Sequence, residues 1–131
     1  MNIKPTVLVV EDDPSHQQRV IVILEPIATL LIAKSFRKAL GYLDSEGKNI
    51  KYVILDGLIP MFDDEMRLIE STDLIFHIKD RYELEIPVFA ASSDDSLNQK
   101  FVTHGCFASN KSTAPLEVKK RILEETAQKL N

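Results

Sequence analysis

Thr6–Pro14 reads TVLVVEDDP, and this stretch sets the pattern for the whole chain. Thr6–Val10 is a short, continuous apolar run rich in β-branched residues, which suits a strand buried on both faces. The run stops at three acids, Glu11, Asp12 and Asp13. Asp13 followed by Pro14 is a helix start, an N-cap acceptor ahead of proline at the first helical position. The helix should run to about Glu25, where Pro26 stops it. A fully buried strand therefore passes into a helix through an acidic turn.

The same alternation recurs downstream. Thr29–Ala33 (TLLIA) reads as a second strand, and Ser35 can cap a helix that carries Phe36, Ala39, Leu40 and Leu43 on one face. Tyr52–Leu55 (YVIL) is the third strand and ends at Asp56. Helical spacing returns at Leu74, Ile75, Ile78 and Tyr82, with Ser71 or Thr72 as the cap. Val88–Ala91 (VFAA), introduced by Pro87, is the fourth strand and ends at Ser92-Ser93. Asp94–His104 reads as a helix that Gly105 can terminate. Phe107–Ser109 is a short fifth strand, and Pro115 opens a last helix with Leu116, Leu123, Ala127 and Leu130 on one face. Five strand-then-helix units predict an α/β fold: a doubly wound, five-stranded parallel sheet with five flanking helices. Right-handed crossovers leave few topologies, and the flavodoxin-like order 2-1-3-4-5 leads them.

The totals narrow the function. At 131 residues the expectation is a single domain over residues 1–131. A net charge of -4 argues against nucleic-acid binding, which needs clustered Lys and Arg. The lone Cys106 cannot form an internal disulfide, which suits a reducing compartment. Met1–Pro5 has no signal-peptide pattern, and no apolar run approaches a membrane span. The expected location is the cytoplasm, away from any membrane.

Ligands in such sheets bind beyond the carboxyl ends of the strands, near the switch in strand order, here between the first and third strands. Strand one delivers Glu11 and Asp12 there, strand three Asp56, strand four Ser92, and the fifth segment leads to Lys111. Clustered carboxylates repel one another and call for a cation or protons. Oxygen donors without His or Cys favour Mg2+ over zinc. A hydroxyl and a lysine beside that metal suit a phosphoryl group, whose oxygens need neutralising and hydrogen-bond donors. A carboxylate can itself be the nucleophile. Singly, each residue has a plainer role: an acid after a strand as a helix cap, Ser92 as a turn, Lys111 as a surface lysine. Their joint arrival from four strand ends is what points to a site.

These residues carry a resemblance to the receiver domains of two-component response regulators over essentially the whole chain. Val7–Pro14 (VLVVEDDP) resembles the family's first strand with its acidic pair. Tyr52–Pro60 (YVILDGLIP) resembles the segment holding the phospho-acceptor aspartate, with proline four residues on. Pro87–Ser93 (PVFAASS) resembles the fourth strand with its hydroxyl residue, and Lys111 the family lysine. The resemblance implies that Asp56 takes a phosphoryl group from a phosphohistidine on a sensor histidine kinase or histidine phosphotransfer protein. Asp12, Asp56 and the backbone carbonyl of Leu58 would hold Mg2+, with Glu11 acting mostly through a metal-bound water. Ser92 and Lys111 would hold the phosphoryl oxygens. Self-phosphorylation and self-dephosphorylation would be the only chemistry, and with no output domain expected the signal would pass by contact with a downstream protein.

The sequence departs from the family at several points. Ser112 stands where proline usually follows the lysine, and without proline a cis bond costs roughly 2.5–4 kcal/mol, so a trans Lys111–Ser112 bond is expected. Asp63-Asp64 replaces a familiar Asp-Gly, and Met61–Glu70 reads as an extended loop beside Asp56. Ala108 occupies the position of the usual switch aromatic, with Phe107 one residue earlier. His16, His77 and His104 show no ligand spacing. These departures keep open a receiver-like scaffold that is not phosphorylated. A third reading, a hydrolase with an aspartate nucleophile, expects a second aspartate two residues on, where this chain has Leu58.

Overall fold

The computed structural model describes residues 4–81 and 85–130. Four parallel strands form the main sheet: β1 (Thr6–Val10), β2 (Thr29–Ala33), β3 (Ile50–Leu55) and β6 (Val88–Ala90), in the spatial order β2-β1-β3-β6. Alternation along β1 explains why its apolar run is continuous. Leu8 and Val10 pack on one side of the sheet with Phe36, Leu40, Leu43, Leu74, Ile75 and Phe101. Val7 and Val9 pack on the other with Val20, Leu24, Phe89, Val118 and Ile122. Each fully buried Val, Leu or Phe contributes on the order of 1.5–3 kcal/mol, so both faces are strongly specified.

Helices α1 (Pro14–Leu24) and α5 (Ala114–Leu130) cover one face; α2 (Phe36–Glu46), α3 (Thr72–Phe76) and α4 (Asp95–Thr103) belong with the other. Their starts follow the expected chemistry. Asp13 accepts from the Ser15 N–H with Pro14 in the first turn, Ser35 accepts from the Lys38 N–H, and Asp94 accepts from Ser96 and Leu97. Ser71 precedes α3 but makes no side-chain cap bond, and a single π-type turn, His77–Arg81, extends that short helix. The expected continuation at Tyr82, like the side chain of Leu130, lies outside the described residues. Gly105 ends α4 with φ 93°, a left-handed conformation that suits glycine.

Three features differ from expectation. The fifth strand is reduced to a single parallel bridge between Phe89 and Phe107. Phe107 exchanges backbone bonds with Val88 and Ala90, but the hydroxyl of Ser109 then donates to the Ala90 carbonyl at 2.5 Å, where a ladder would place a backbone N–H. The order still follows 2-1-3-4-5 when that bridge is taken as the fifth position. Second, the segment after Asp56 is not an open loop. β4 (Leu58–Pro60) and β5 (Leu68–Glu70) form a small antiparallel hairpin with its tip at residues 61–67. Third, α5 buries Ala114, Val118 and Ile122, while Leu116 and Leu123 of the expected face are 50% and 49% exposed. Both sets have helical spacing, and the smaller stripe is the one that fits against Tyr52, Ile54 and Phe89.

Candidate phosphoryl and metal site

The carboxyl ends of β1 and β3 lie side by side because the register pairs Val10 with Leu55. The chain leaving β3 is tied back to β1 by the Asp56 N–H, which donates to the Val10 carbonyl at 3.0 Å. Glu11 leaves β1 similarly fixed, its N–H donating to Ala33 of β2 at 2.9 Å. The parallel ladders thus deliver both acids to one edge of the sheet. Glu11 and Asp56 are buried, Asp56 only 6% exposed, and Asp12 is half-buried. One carboxylate oxygen from each of Glu11, Asp12 and Asp56 lies within 4.8 Å of the others.

Lys111 reaches this cluster from the loop before α5. Its Nζ lies 3.3 Å from Asp56 Oδ2 and 3.3 Å from Glu11 Oε1. Desolvation works against its charge, but attraction to Asp56 and Glu11 outweighs it and raises the ammonium's pKa. Glu11 responds in the opposite sense to an ordinary acid: burial, and then the Asp56 carboxylate, push it from 4.5 to about 8. Burial and a neighbouring carboxylate both favour the protonated form of Glu11, as crowding of like charges does.

Ser92 follows β6 and is buried. Its side chain lies against Gly57, where an added Cβ would stand only 2.9 Å from Ser92 Oγ and 2.9 Å from Leu97 Cδ1. Glycine next to Asp56 is thus what lets the hydroxyl come so close. Glu11, Asp56 and Lys111 meet directly, Asp12 lies beside the two acids and Ser92 lies against Gly57; the Lys111–Ser112 bond is trans, as expected, with no cis bond among the described residues. The replacement of proline has a local cause. Asn110 Oδ1 accepts the N–H groups of Ser112 at 2.9 Å and Thr113 at 3.0 Å, an Asx turn that proline at 112 would break.

The residue that sequence reasoning missed is Ser71. Fully buried, it donates its hydroxyl to the Asp56 carbonyl at 2.5 Å, and its N–H donates to the Gly57 carbonyl at 3.0 Å. That second bond makes Leu58 and Glu70 a non-hydrogen-bonded pair in the hairpin, which leaves the Leu58 carbonyl free of β5. The local pattern marked Ser71 only as a helix cap, because its partners here lie 14 and 15 residues away.

Comparison with solved structures matches this architecture along nearly its full length. A response regulator from Thermotoga maritima is 24% identical with a TM-score of 0.68, covering 93% of this chain and 97% of that one. A response regulator receiver domain protein from Clostridium thermocellum is 20% identical with a TM-score of 0.73, covering 95% of each chain. One from Methanospirillum hungatei is 18% identical with a TM-score of 0.72, covering 96% of each. The fold is that of a response-regulator receiver domain. By sequence, no family model and no curated protein matches the chain.

Ala108, three residues before Lys111, is exposed. Phe107 instead stacks on Phe89, ring centroids 5.1 Å apart, beneath the Arg121 guanidinium at 4.1 Å. His16 sits 3.8 Å from Asp13, while His77 and His104 make edge contacts with Phe36 and Phe76. Among the described residues, no helix is long and apolar enough to cross a membrane.

Proposed function

We propose that this chain is a phosphoacceptor signalling module of a two-component or phosphorelay system, with Asp56 as the acceptor. The observation that carries the proposal is the buried pairing of the Asp56 and Glu11 carboxylates around the Lys111 ammonium, at the sheet edge where Asp12 and Ser92 also arrive. A structural salt bridge needs one acid for one lysine. Two acids contact the one lysine and a third, Asp12, lies beside them, an excess of negative charge that a bound cation would balance.

The donor set fits Mg2+: carboxylate oxygens, a Leu58 carbonyl that β5 does not use and, among the described residues of the cluster, no His or Cys. Asp12, Asp56 and the Leu58 carbonyl would hold the ion, with Glu11 acting through a bound water. Once bound it supplies charge neutralisation for the phosphoryl oxygens and for the acids. The protein's own groups do the rest. An Asp56 carboxylate oxygen attacks phosphorus in line, the new O–P bond forms as the P–N bond of phosphohistidine breaks, and the imidazole nitrogen keeps the electron pair. Lys111 neutralises one phosphoryl oxygen and Ser92 donates a hydrogen bond to another. Water later cleaves the acyl phosphate, so the chain turns over only its own phosphate and is not otherwise an enzyme.

The donor would be a sensor histidine kinase or a histidine phosphotransfer protein in the cytoplasm. Residues 1–131 would act as one receiver domain that signals to a downstream protein by contact. The test is incubation with Mg2+ and a small phosphodonor, or with a phosphorylated histidine kinase, followed by intact mass. The wild type should gain one phosphoryl group and Asp56→Asn none. A wild type that gains none from either donor would favour the non-phosphorylated scaffold.

A further inference from the structure

Ser92 is gripped by its backbone, and the grip comes mainly from α4. Asn98 is 7% exposed. Its Oδ1 accepts the Ser92 N–H at 3.0 Å, and its Nδ2 donates to the Ser92 carbonyl at 2.8 Å. One amide plane thus satisfies both backbone groups of the residue that carries the hydroxyl. These groups lie between the end of β6 and the start of α4, where neither a ladder nor a helix supplies partners. The Ser92 carbonyl also accepts the Lys111 N–H at 3.2 Å, and Ser92 Oγ accepts the Asp94 N–H at 3.0 Å. Asp94 in turn caps α4. From the opposite side, Gly57 leaves the hydroxyl just enough room.

We propose that Asn98 is a positioning residue for the phosphate site: it holds Ser92 where its hydroxyl can serve a phosphoryl group on Asp56, and it links Ser92 to helix α4. The inference rests on the phosphoacceptor role of Asp56. Asparagine suits the task because it presents a donor and an acceptor in one plane. Leucine at 98 would fill similar space, yet leave the Ser92 N–H without that acceptor and the carbonyl with only the Lys111 N–H. A purely structural role makes a different forecast, in which replacing Asn98 lowers stability but leaves the chemistry at Asp56 alone.

A double-mutant cycle separates the two. Phosphorylation rates with a small phosphodonor and Mg2+ are measured for the wild type, Asn98→Leu, Ser92→Ala and the double variant. Misplacing a donor by about 1 Å costs up to a hundredfold, so Asn98→Leu should slow labelling by about ten- to a hundredfold. In the Ser92→Ala background, with no hydroxyl left to position, the same change should alter the rate less than about threefold, while thermal stability falls equally in both backgrounds. Should Asn98→Leu not fold, Asn98→Asp keeps the acceptor for the Ser92 N–H, sets an acceptor against the carbonyl, and should slow labelling in the same way. The link to α4 is read from backbone amide shifts of residues 95–103 on adding beryllofluoride with Mg2+, present in the wild type and lost in the Asn98 variant. Labelling of the Asn98 variant at the wild-type rate, or a loss that persists undiminished without the Ser92 hydroxyl, overturns the proposal. A wild type that takes no phosphoryl group overturns the role of Asp56 first, and that of Asn98 with it.

Discussion

Replacing Asp56 by Asn should make the metal-free protein more stable, although it removes an ion pair. At pH 9, above the value of about 8 to which Glu11 is pushed, the Glu11 carboxylate adds its charge to the cluster. With an effective dielectric of about 20, two carboxylates at the 4.8 Å limit of the cluster repel by about 3.5 kcal/mol. Asp56 has two such neighbours, a total of about 7 kcal/mol. Its attraction to Lys111 at 3.3 Å returns about 5 kcal/mol on the same scale. The balance of about 2 kcal/mol opposes the charged Asp56, and relief from burying a carboxylate adds to it. Asparagine keeps an oxygen for the Gly57 N–H, which Asp56 Oδ1 accepts at 2.7 Å. For a domain of this size, 2 kcal/mol is a rise in Tm of about 7 °C. Thermal unfolding in EDTA at pH 9 measures it. The gap should shrink below pH 8 as Glu11 takes up a proton. It should narrow in Mg2+, because the wild type gains about 1.4 kcal/mol once the ion is at ten times its Kd. A Tm for Asp56→Asn equal to or below that of the wild type in EDTA would refute the account of crowded, uncompensated carboxylates.

Other outcomes follow from the same geometry. Because the folded-state pKa of Glu11 lies above its ordinary 4.5, the fold binds the extra proton, so the stability this contributes is complete below pH 4.5 and is lost as pH rises towards about 8. Urea unfolding across that range in EDTA should show this decline for the wild type, and Glu11→Gln should flatten it. Lys111→Ala should slow phosphorylation by about a hundredfold while the protein stays folded in Mg2+, because the half-buried ammonium packs little but meets the phosphoryl charge; normal labelling with marked unfolding would contradict this. Cys106 is buried and its thiol is pushed up to about 11, so iodoacetamide at neutral pH should modify it only as fast as the protein unfolds.

Much of the fold was legible because the first two strand–helix units obey local rules. Thr6–Val10, Asp13-Pro14, Thr29–Ala33 and Ser35 each combine a periodicity with a stop or a cap, and each lies where expected. The features that were missed depend on distant partners. The β4–β5 hairpin is two three-residue strands, one of them ending in Pro60, and it exists because Ser71 reaches back to Asp56 and Gly57. The sequence of α5 offers two apolar stripes, and only packing on β3 and β6 selects Val118 and Ile122 over Leu116 and Leu123. The fifth strand fails because the Ser109 side chain competes for the Ala90 carbonyl. For the site, residue types at strand ends pointed to Glu11, Asp12, Asp56, Ser92 and Lys111, and the structure brings Glu11, Asp12, Asp56 and Lys111 together with Ser92 against Gly57. What they did not reveal is how Lys111 could converge without a following proline, which the Asn110 turn explains.

On the proposed function Asp56, and no other side chain, accepts a phosphoryl group. Borohydride reduces an acyl phosphate on aspartate to homoserine, so treatment of the phosphorylated protein marks the acceptor permanently. Tandem mass spectrometry then locates the mark. Homoserine is expected at position 56 alone, dependent on donor and on Mg2+, and absent from Asp56→Asn. A mark at Asp12 or Glu11, or unmarked protein after exposure to a phosphorylated histidine kinase, would contradict it.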